Sequence, residues 1–256
     1  MCSICCILFV LIIKLAFYGA GMNYRYNIAL FLITLFLNSC VKDDGMNPYD
    51  SPSDLSSLAS FNAVPGTSEL SLFLDGARLN KTDEKFSFSE FMSHRNVYPG
   101  EKKLNIEGVY VKGEKIRTLK DISLHAGNIY SLFLYEEGGI QTLLTKDNIV
   151  VPKEGYAKIR LAHMVKDAPA LSIWDKERPQ PLFGNIPFKG VTEFIEVKAD
   201  EIVELHIIPS GDRSNKSLEI SQTFVPRNKA FYTLMVVGLI NAEDKEQEVS
   251  LQVIEF

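Results

Sequence analysis

The stretch "IRLAHMVKDAPALSIWD" (residues 159–175) holds two short apolar runs on either side of an Asp-Ala-Pro step. Ile, Leu, Ala and one Trp supply most of the apolar positions, and short runs of this kind are typical of β-strands. Pro169 restricts φ between the runs, and we expect the Asp167 side chain to accept backbone hydrogen bonds at this turn. The stretch therefore predicts a strand-turn-strand unit.

Similar apolar runs recur along the chain beyond residue 57. Among them are "ELSLFL", "NIYSLFLYE", "EIVELHIIP" and "KAFYTLMVVGL", separated by turns rich in Gly, Pro, Asn and Asp. Many runs alternate apolar and polar residues, and no long segment keeps a helical period. This pattern predicts an all-β fold of antiparallel, immunoglobulin-like β-sandwiches in which each strand buries one face.

The second half of the chain repeats the first at an offset of about 100 residues. The proposed equivalent pairs are Phe61 and Leu161, Val97 and Val197, Leu104 and Leu205, and Tyr130 and Tyr232. Pro and Gly interrupt the pattern in "VVPKEG" (residues 150–155), so we place the boundary there. The sequence thus predicts two tandem sandwich domains, residues 57–151 and 152–256. Each of the two tyrosines is expected to bury its ring and bond its hydroxyl to a neighbouring loop, as in a tyrosine corner.

These landmarks resemble the DUF4397 family. The stretch at residues 159–175 and the weaker "ASFNAVPGTSELSLFLDG" (residues 59–76) are similar to its opening strand pair, and "NVYPG" and "LHAGNIYSLFL" to its later turns. The second copy departs from the pattern in "VKADE" and "VPRNKAFYTLMV", which lack the glycines. The resemblance extends over nearly everything from residue 59 onward. It implies a fold and no activity, because the family has no established chemistry.

The stretch "LFLNSCVKDD" (residues 35–44) lies between an apolar run and an acidic segment. The run "IALFLITLFL" follows Arg25 and is shorter than the roughly 20 residues that a membrane-spanning helix needs. It predicts a signal peptide, residues 1–39, with Met22 as the expected start of translation. "LNSC" resembles the lipobox of bacterial lipoproteins, so we predict lipidation of Cys40. One alternative keeps Met1 and makes both hydrophobic segments a hairpin anchor, and another is an ordinary secretory signal that contains a cysteine.

Lys42, Asp43 and Asp44 resemble a lipoprotein export signal described in the Bacteroidetes, which directs lipoproteins to the outside of the outer membrane. We therefore predict a lipid-anchored protein of the outer membrane, exposed at the cell surface. A generic polar tether on a periplasm-facing protein is the alternative. Residues 40–56 are rich in Pro, Ser, Asp, Asn and Gly, so the lipidated cysteine is expected to begin a flexible tether.

Candidate chemistry is sparse in the predicted body. The four cysteines, Cys2, Cys5, Cys6 and Cys40, lie at or before the anchor, which leaves no thiol for a disulfide, a zinc site or a nucleophile. The four histidines, His94, His125, His163 and His206, stand singly, without a second ligand at metal-binding spacing. His163 and His206 lie in strand-like runs and are predicted to be framework residues. We predict no catalytic residue, metal or cofactor.

The charge of the chain argues against nucleic acid as a partner. Removing residues 1–39 takes away Lys14 and Arg25, which lowers the formal net charge from −5 to −7. We therefore predict a non-enzymatic binding or adhesion module at the cell surface, with a glycan or an envelope or host protein as its partner. The alternatives are a hydrolase or accessory subunit acting on polysaccharide, and a structural spacer of the envelope.

Overall fold

The computed structural model describes residues 54–176, 178–210, 218 and 220–255. Contacts group Asn47–Phe256 into one compact unit. The predicted signal peptide, Cys40, Lys42, Asp43 and Asp44 lie outside the described residues. Within the described residues the regular structure is β-strands and one 3-10 helix, Lys245–Gln247, so the all-β prediction is confirmed.

The first half contains β1 (Ser56–Asn62), β2 (Thr67–Leu74), β3 (Ala77–Arg78), β4 (Phe91–Val97), β5 (Gly100–Tyr110), β6 (Lys115–Leu124), β7 (Ile129–Glu136) and β8 (Ile140–Asp147). The second half contains β9 (Tyr156–His163), β10 (Leu171–Asp175), β11 (Phe183–Ile186), β12 (Ile195–Lys198), β13 (Val203–Pro209), β14 (Ile220–Phe224), β15 (Phe231–Val237) and β16 (Ser250–Glu255).

The strands form four sheets of four strands each. In the first half, sheet A has the order β4-β1-β7-β8 and sheet B the order β3-β2-β5-β6. In the second half, sheet C has the order β12-β9-β15-β16 and sheet D the order β11-β10-β13-β14. Sheet C repeats the order of sheet A, and sheet D that of sheet B. The pairing departs from a purely antiparallel sandwich at the centre of sheets A and C, because β1 and β7 are parallel and so are β9 and β15.

The strand register corrects one of the proposed equivalences. Phe61 lies opposite Phe133 in sheet A, and the matching place in sheet C, opposite Met235, belongs to Ala162 and not to Leu161. The pairing of Phe61 with Leu161 is therefore wrong by one residue. Side chains alternate between the two faces of a strand, so a pairing that is wrong by one residue assigns Phe61 to the wrong face of its sheet. The other pairs occupy matching places: Val97 and Val197, Leu104 and Leu205, and Tyr130 and Tyr232.

Each half encloses its own apolar core. Sheets A and B cover one cluster, to which alternate residues of β7, Tyr130, Leu132 and Leu134, contribute from one face. Sheets C and D cover a second cluster, to which Tyr232, Leu234 and Val236 of β15 contribute in the same way. These two clusters are the sandwich cores expected from the alternating sequence pattern.

A third apolar cluster joins the outer face of sheet A to the outer face of sheet C. Its buried members are Ala59, Phe61, Ala63, Phe133, Tyr135, Ala162, Met164, Met235 and Val237. The layers of the body therefore follow the order B, A, C, D. Strands β1 and β15 are buried at every position, and β7 at every position except its last, Glu136, so both faces of these strands are covered. This explains why β7 and β15 are apolar at most positions, since a strand buried on both faces has no exposed polar side. Their inner polar residues, Ser131 and Thr233, are buried in the same interface.

A buried ion pair lies in the same interface. The Arg160 and Asp147 side chains are 2% and 0% exposed, and the Arg160 Nη1 atom donates to Asp147 Oδ1 at 2.6 Å. The other two nitrogens of the Arg160 guanidinium also donate: Nη2 to Ser131 Oγ at 2.7 Å, and Nε to Thr233 Oγ1 at 2.9 Å. Ser131 in turn donates its hydroxyl to Asp147 Oδ2 at 2.6 Å. Since Arg160 and Thr233 belong to sheet C and the other two to sheet A, the network specifies how the halves meet.

Removing one member of this pair should destabilise the body strongly. Arg160→Met leaves the Asp147 carboxylate buried without its cation, and Asp147→Asn leaves the guanidinium without its anion. Each change is expected to cost about 3 to 5 kcal/mol, because an unpaired buried charge is far costlier than a missing pair. The free energy of unfolding in urea measures the effect.

The double variant Arg160→Met with Asp147→Leu should lose much less free energy of unfolding than the two single variants lose together, since it leaves no unpaired charge in the interface. Lys198→Met, in the exposed ion pair with Glu201, is the matched control and should change stability little. Additive losses in the double variant would contradict a coupled pair.

Candidate functional site

The direction of β1 defines two ends of the body. We call the end at which β1 begins, at Ser56, the tether pole, because the predicted tether immediately precedes it in sequence. The end at which β1 stops, at Asn62, is the far pole. A strand of this length spans roughly 20 Å, so the two poles are separated by that distance along β1.

A cleft of about 720 Å³ opens at the far pole between the two halves. The first half contributes the wall with Ser68, Ser87, Phe88 and Ser89. The second half contributes the wall with Asp244, Glu246 and Gln247. Clefts between domains are frequent sites of ligand binding, so this cleft is the candidate functional site.

The buried side chain of Asn62 holds the first wall in place. Its Nδ2 group donates to Thr67 Oγ1 and to Phe86 O, both at 3.0 Å, and its Oδ1 atom accepts from Val64 N at 3.0 Å. These bonds connect the turn after β1 to the loop before β4. Ser89 in that loop adopts a φ of 67°, and its backbone N–H donates to Asn62 O at 2.8 Å.

Gly238 allows the second wall to approach β15 closely. A Cβ atom at this position would lie 2.5 Å from Glu248 O and 2.8 Å from Gln247 O, and the φ of Gly238 is 111°. A side chain here would collide with backbone and would also occupy a strained conformation. The 3-10 helix Lys245–Gln247 can therefore lie against the end of β15, where Leu239 N donates to Gln247 O at 2.8 Å.

The walls present the groups that suit a neutral, hydroxyl-rich ligand. Ser68 and Ser87 donate their hydroxyl protons to backbone carbonyls, so they offer acceptors to a ligand, and Ser89 adds a third hydroxyl. Asp244 and Glu246 supply exposed carboxylates that accept hydrogen bonds. The ring of Phe88 is half-buried against the interface cluster and offers an apolar surface. Among the described residues, no group of three or more His, Cys, Asp or Glu side chains is placed so that it could hold a metal ion.

The turn and tyrosine predictions agree with the hydrogen bonds. Asp167 accepts from Ile240 N at 3.0 Å and from Asn241 N at 3.1 Å, and thereby holds the loop that follows β15. The Tyr130 hydroxyl accepts from the backbone N–H of His125 at 3.1 Å. The Tyr232 hydroxyl accepts from the backbone N–H of Arg227 at 2.9 Å, and burial raises the pKa of Tyr232. Both tyrosines therefore form the corner that the sequence predicts.

His163 is a framework residue, as predicted. Its ring is buried; Nδ1 accepts from Val165 N at 3.3 Å, so Nε2 carries the proton and donates to Pro169 O at 3.2 Å. Burial lowers the pKa of His163, although the bond to Pro169 opposes this shift. By register, His163 occupies in sheet C the place of Asn62 in sheet A. Each side chain accepts the backbone N–H two residues later.

His206 lies in β13, as its strand-like run predicts, but it is only half-buried. The flanking residues Leu205 and Ile207 belong to the second core, and strand alternation therefore turns His206 to the outer face of sheet D. There it lies opposite Trp174, and its Nδ1 atom is 2.9 Å from Ser221 Oγ. A strand-like run identifies the strand but not which of its residues face the core.

His94 lies close to the buried ion pair. Burial lowers the pKa of His94; Asp147 opposes this shift and Arg160 adds to it. The sequence indicated no relation among these three residues, because they come together only when sheets A and C pack.

The described chain is an all-β protein of two packed sandwiches with a cleft between them at the far pole. Residues 56–174 match the family described as domain of unknown function (DUF4397), so the chain is similar to that family over this segment. No curated protein matches the chain. In the described residues we find no helix long and apolar enough to cross a membrane.

Acid should weaken the fold through His163. Its pKa in the folded chain lies below the ordinary value of 6.5, so the unfolded chain takes up the proton first as the pH falls. The stabilising effect of the neutral ring is complete above pH 6.5 and is lost progressively below it. Denaturation curves at a series of pH values measure this loss.

The variant His163→Asn tests the assignment, because Asn62 already performs the equivalent role in sheet A. The variant should fold at neutral pH, and its stability should fall less in acid than that of the parent. Some loss of stability in acid should remain, because the pKa of His94 is lowered as well. His163→Ala should be destabilised at every pH, since Val165 N–H and Pro169 O lose their partner. An unchanged pH profile in His163→Asn would contradict the assignment.

Proposed function

We propose that this protein is a cell-envelope lipoprotein whose β-body is a non-enzymatic binding module, and that the far-pole cleft takes a hydroxyl-rich ligand such as a glycan. The observation that carries the proposal is the placement of the cleft. It opens at the end of β1 opposite the end that the predicted tether enters. A body anchored through that tether directs the cleft away from the membrane.

The composition of the cleft supports a glycan over a charged ligand. Serine hydroxyls line the first wall, and carboxylates and the Gln247 amide line the second. Such groups exchange hydrogen bonds with sugar hydroxyls, while a ring covers an apolar sugar face. Lys245 lies beside Asp244 and Glu246, so the walls carry both signs of charge. Envelope or host proteins are the other partners that a surface module of this kind would meet.

The location belongs to the same proposal. Lipidation at Cys40 anchors the chain, with three acyl chains expected after processing, and such an anchor is effectively permanent because each buried methylene contributes about 0.8 kcal/mol. Lys42, Asp43 and Asp44 direct the protein to the exterior of the outer membrane, in the manner of Bacteroidetes lipoproteins. Residues 57–151 and 152–256 act as two tandem domains, supported by the matching strand orders of their sheets.

Loss of the cleft carboxylates should abolish ligand binding. In the body, residues 47–256, Asp244→Ala with Glu246→Ala removes two acceptors from one wall while leaving the apolar cores intact. Glycans retained by the parent on an array should be lost or weakened at least several-fold in this variant. Titration calorimetry with a retained glycan measures the change, and a parallel hydrolase assay tests the polysaccharide-degrading alternative.

Glu201→Ala is the matched control for that experiment, because Glu201 is an exposed carboxylate at the tether pole in an ion pair with Lys198. It should bind like the parent. Equal binding by the cleft variant, the control and the parent would place any glycan site elsewhere, and retention of proteins alone would favour a protein partner.

Changing Lys42, Asp43 and Asp44 to Ala should leave the protein anchored to the outer membrane but move it from the outer face to the inner face. The variant keeps Cys40, so it should partition with detergent like the parent, but protease added to intact cells should cleave only the parent. Cys40→Ser is the control for the anchor and should move to the aqueous phase. Equal protection of the parent and the triple variant would place the native protein inside the envelope.

A further inference from the structure

Five exposed apolar side chains lie at the tether pole. They are Tyr98, Ile202, Val150, Val225 and Val151, with exposed fractions of 75%, 69%, 56%, 53% and 40%. Single exposed apolar residues are ordinary on protein surfaces. Here five of them lie at the same end of the body, the end at which β1 begins, so they are not scattered over the surface.

The strand register places all five at that end. Val97, which precedes Tyr98, lies opposite Ser56, and Asp147, which precedes the segment with Val150 and Val151, lies opposite Ile129. In the second half, Lys198 lies opposite Tyr156 at the start of β9, and Phe224 lies opposite Val203 at the start of β13. Ile202 immediately precedes β13 and Val225 immediately follows β14, so these residues border the same pole.

The five side chains are distributed over the whole end rather than gathered in a pocket. Tyr98 lies between strands of sheets A and B, Val150 and Val151 join sheets A and C, and Ile202 and Val225 each connect sheets C and D. Packed sheets are about 10 Å apart, so four layers extend over roughly 30 Å. A flat surface can touch all of these positions at once, whereas a small ligand cannot.

Charges at the tether pole are largely paired. Lys198 bonds Glu201 at 3.2 Å, Lys229 bonds Glu154 at 2.6 Å, and Lys153 lies 3.5 Å from Glu196. Arg227 is paired with Glu255. Because cations and anions balance here, attraction to an acidic surface has little to act on, and the apolar side chains would drive contact with an uncharged lipid surface.

We propose that the tether pole rests on the membrane, with these five side chains entering the lipid interface. The inference builds on the proposed lipoprotein, because its tether leaves this pole. The tether that the sequence predicts between Cys40 and Asp54 would, as a flexible chain, have a root-mean-square length of roughly 20 Å, which would keep the pole close to the lipid. Such proximity makes the contact intramolecular, so even weak individual side-chain insertions suffice. The membrane contact would hold the far-pole cleft facing outward.

The body without its natural anchor provides the test. Residues 47–256 carry an N-terminal hexahistidine tag and are held on phosphatidylcholine vesicles that contain a nickel-chelating lipid. This segment has no cysteine, so Ile202→Cys and Val150→Cys each receive one polarity-sensitive fluorophore. Val111→Cys is the control, since Val111 is 68% exposed but lines the far-pole cleft.

Fluorophores at positions 202 and 150 should show a blue shift and a several-fold gain in emission on the vesicles, which persist in high salt, whereas position 111 should not respond. Adding Val151→Ser and Val225→Ser to the Ile202→Cys protein should reduce its gain. No response at positions 202 and 150, or an equal response at position 111, would overturn the proposal. Because the artificial anchor replaces Cys40, failure here is independent of whether cells lipidate Cys40.

Discussion

The buried ion pair of Arg160 and Asp147 is the constraint on which the arrangement of the body depends. Two ions removed from water are tolerated only when geometry and hydrogen bonding compensate for their lost hydration. Arg160 meets this condition through a carboxylate and a hydroxyl of sheet A and a hydroxyl of sheet C. A slip of one residue between the two sheets would leave a charge unpaired. The apolar interface supplies attraction, and the ion pair selects one packing among several apolar ones.

This packing turns two ordinary sandwiches into a four-layered body. Sheets A and C each have one face in a sandwich core and the other in the shared interface, so their central strands lack an exposed side. Asn62 and His163 occupy matching places in these sheets and make the same bond to the backbone two residues later. The two halves therefore use different side chains to bind the same backbone N–H group in the turn after the first strand. The neutral form of His163 is required for its bond, which links this interaction to pH.

The two poles differ because the halves point in the same direction. Strands β1 and β9 both begin at the tether pole, and β15 runs parallel to β9. The turn after β1 and the loop after β15 therefore meet at the far pole, where they contribute to opposite walls of the cleft. The tether pole instead carries apolar side chains among paired charges. A body with one end suited to lipid and the other to a polar ligand matches a molecule anchored at one end, and the back-to-back packing maintains this polarity over the length of the strands.

The sequence by itself determined the features that depend on neighbouring residues. The strands and the two tyrosine corners follow from short patterns, since a corner or an alternating run involves only a few consecutive positions. The sequence indicated that Asp167 accepts backbone hydrogen bonds, but its donors, Ile240 and Asn241, lie far away in the chain. Tertiary structure decided the parallel pairing in sheets A and C, the exposed face of His206, the ion pair and the cleft. These features depend on which faces of the strands and sheets meet, and the alternation of apolar and polar residues along a strand does not determine that choice. Local sequence patterns predict the strands, but only the packing of their faces determines which residues come into contact.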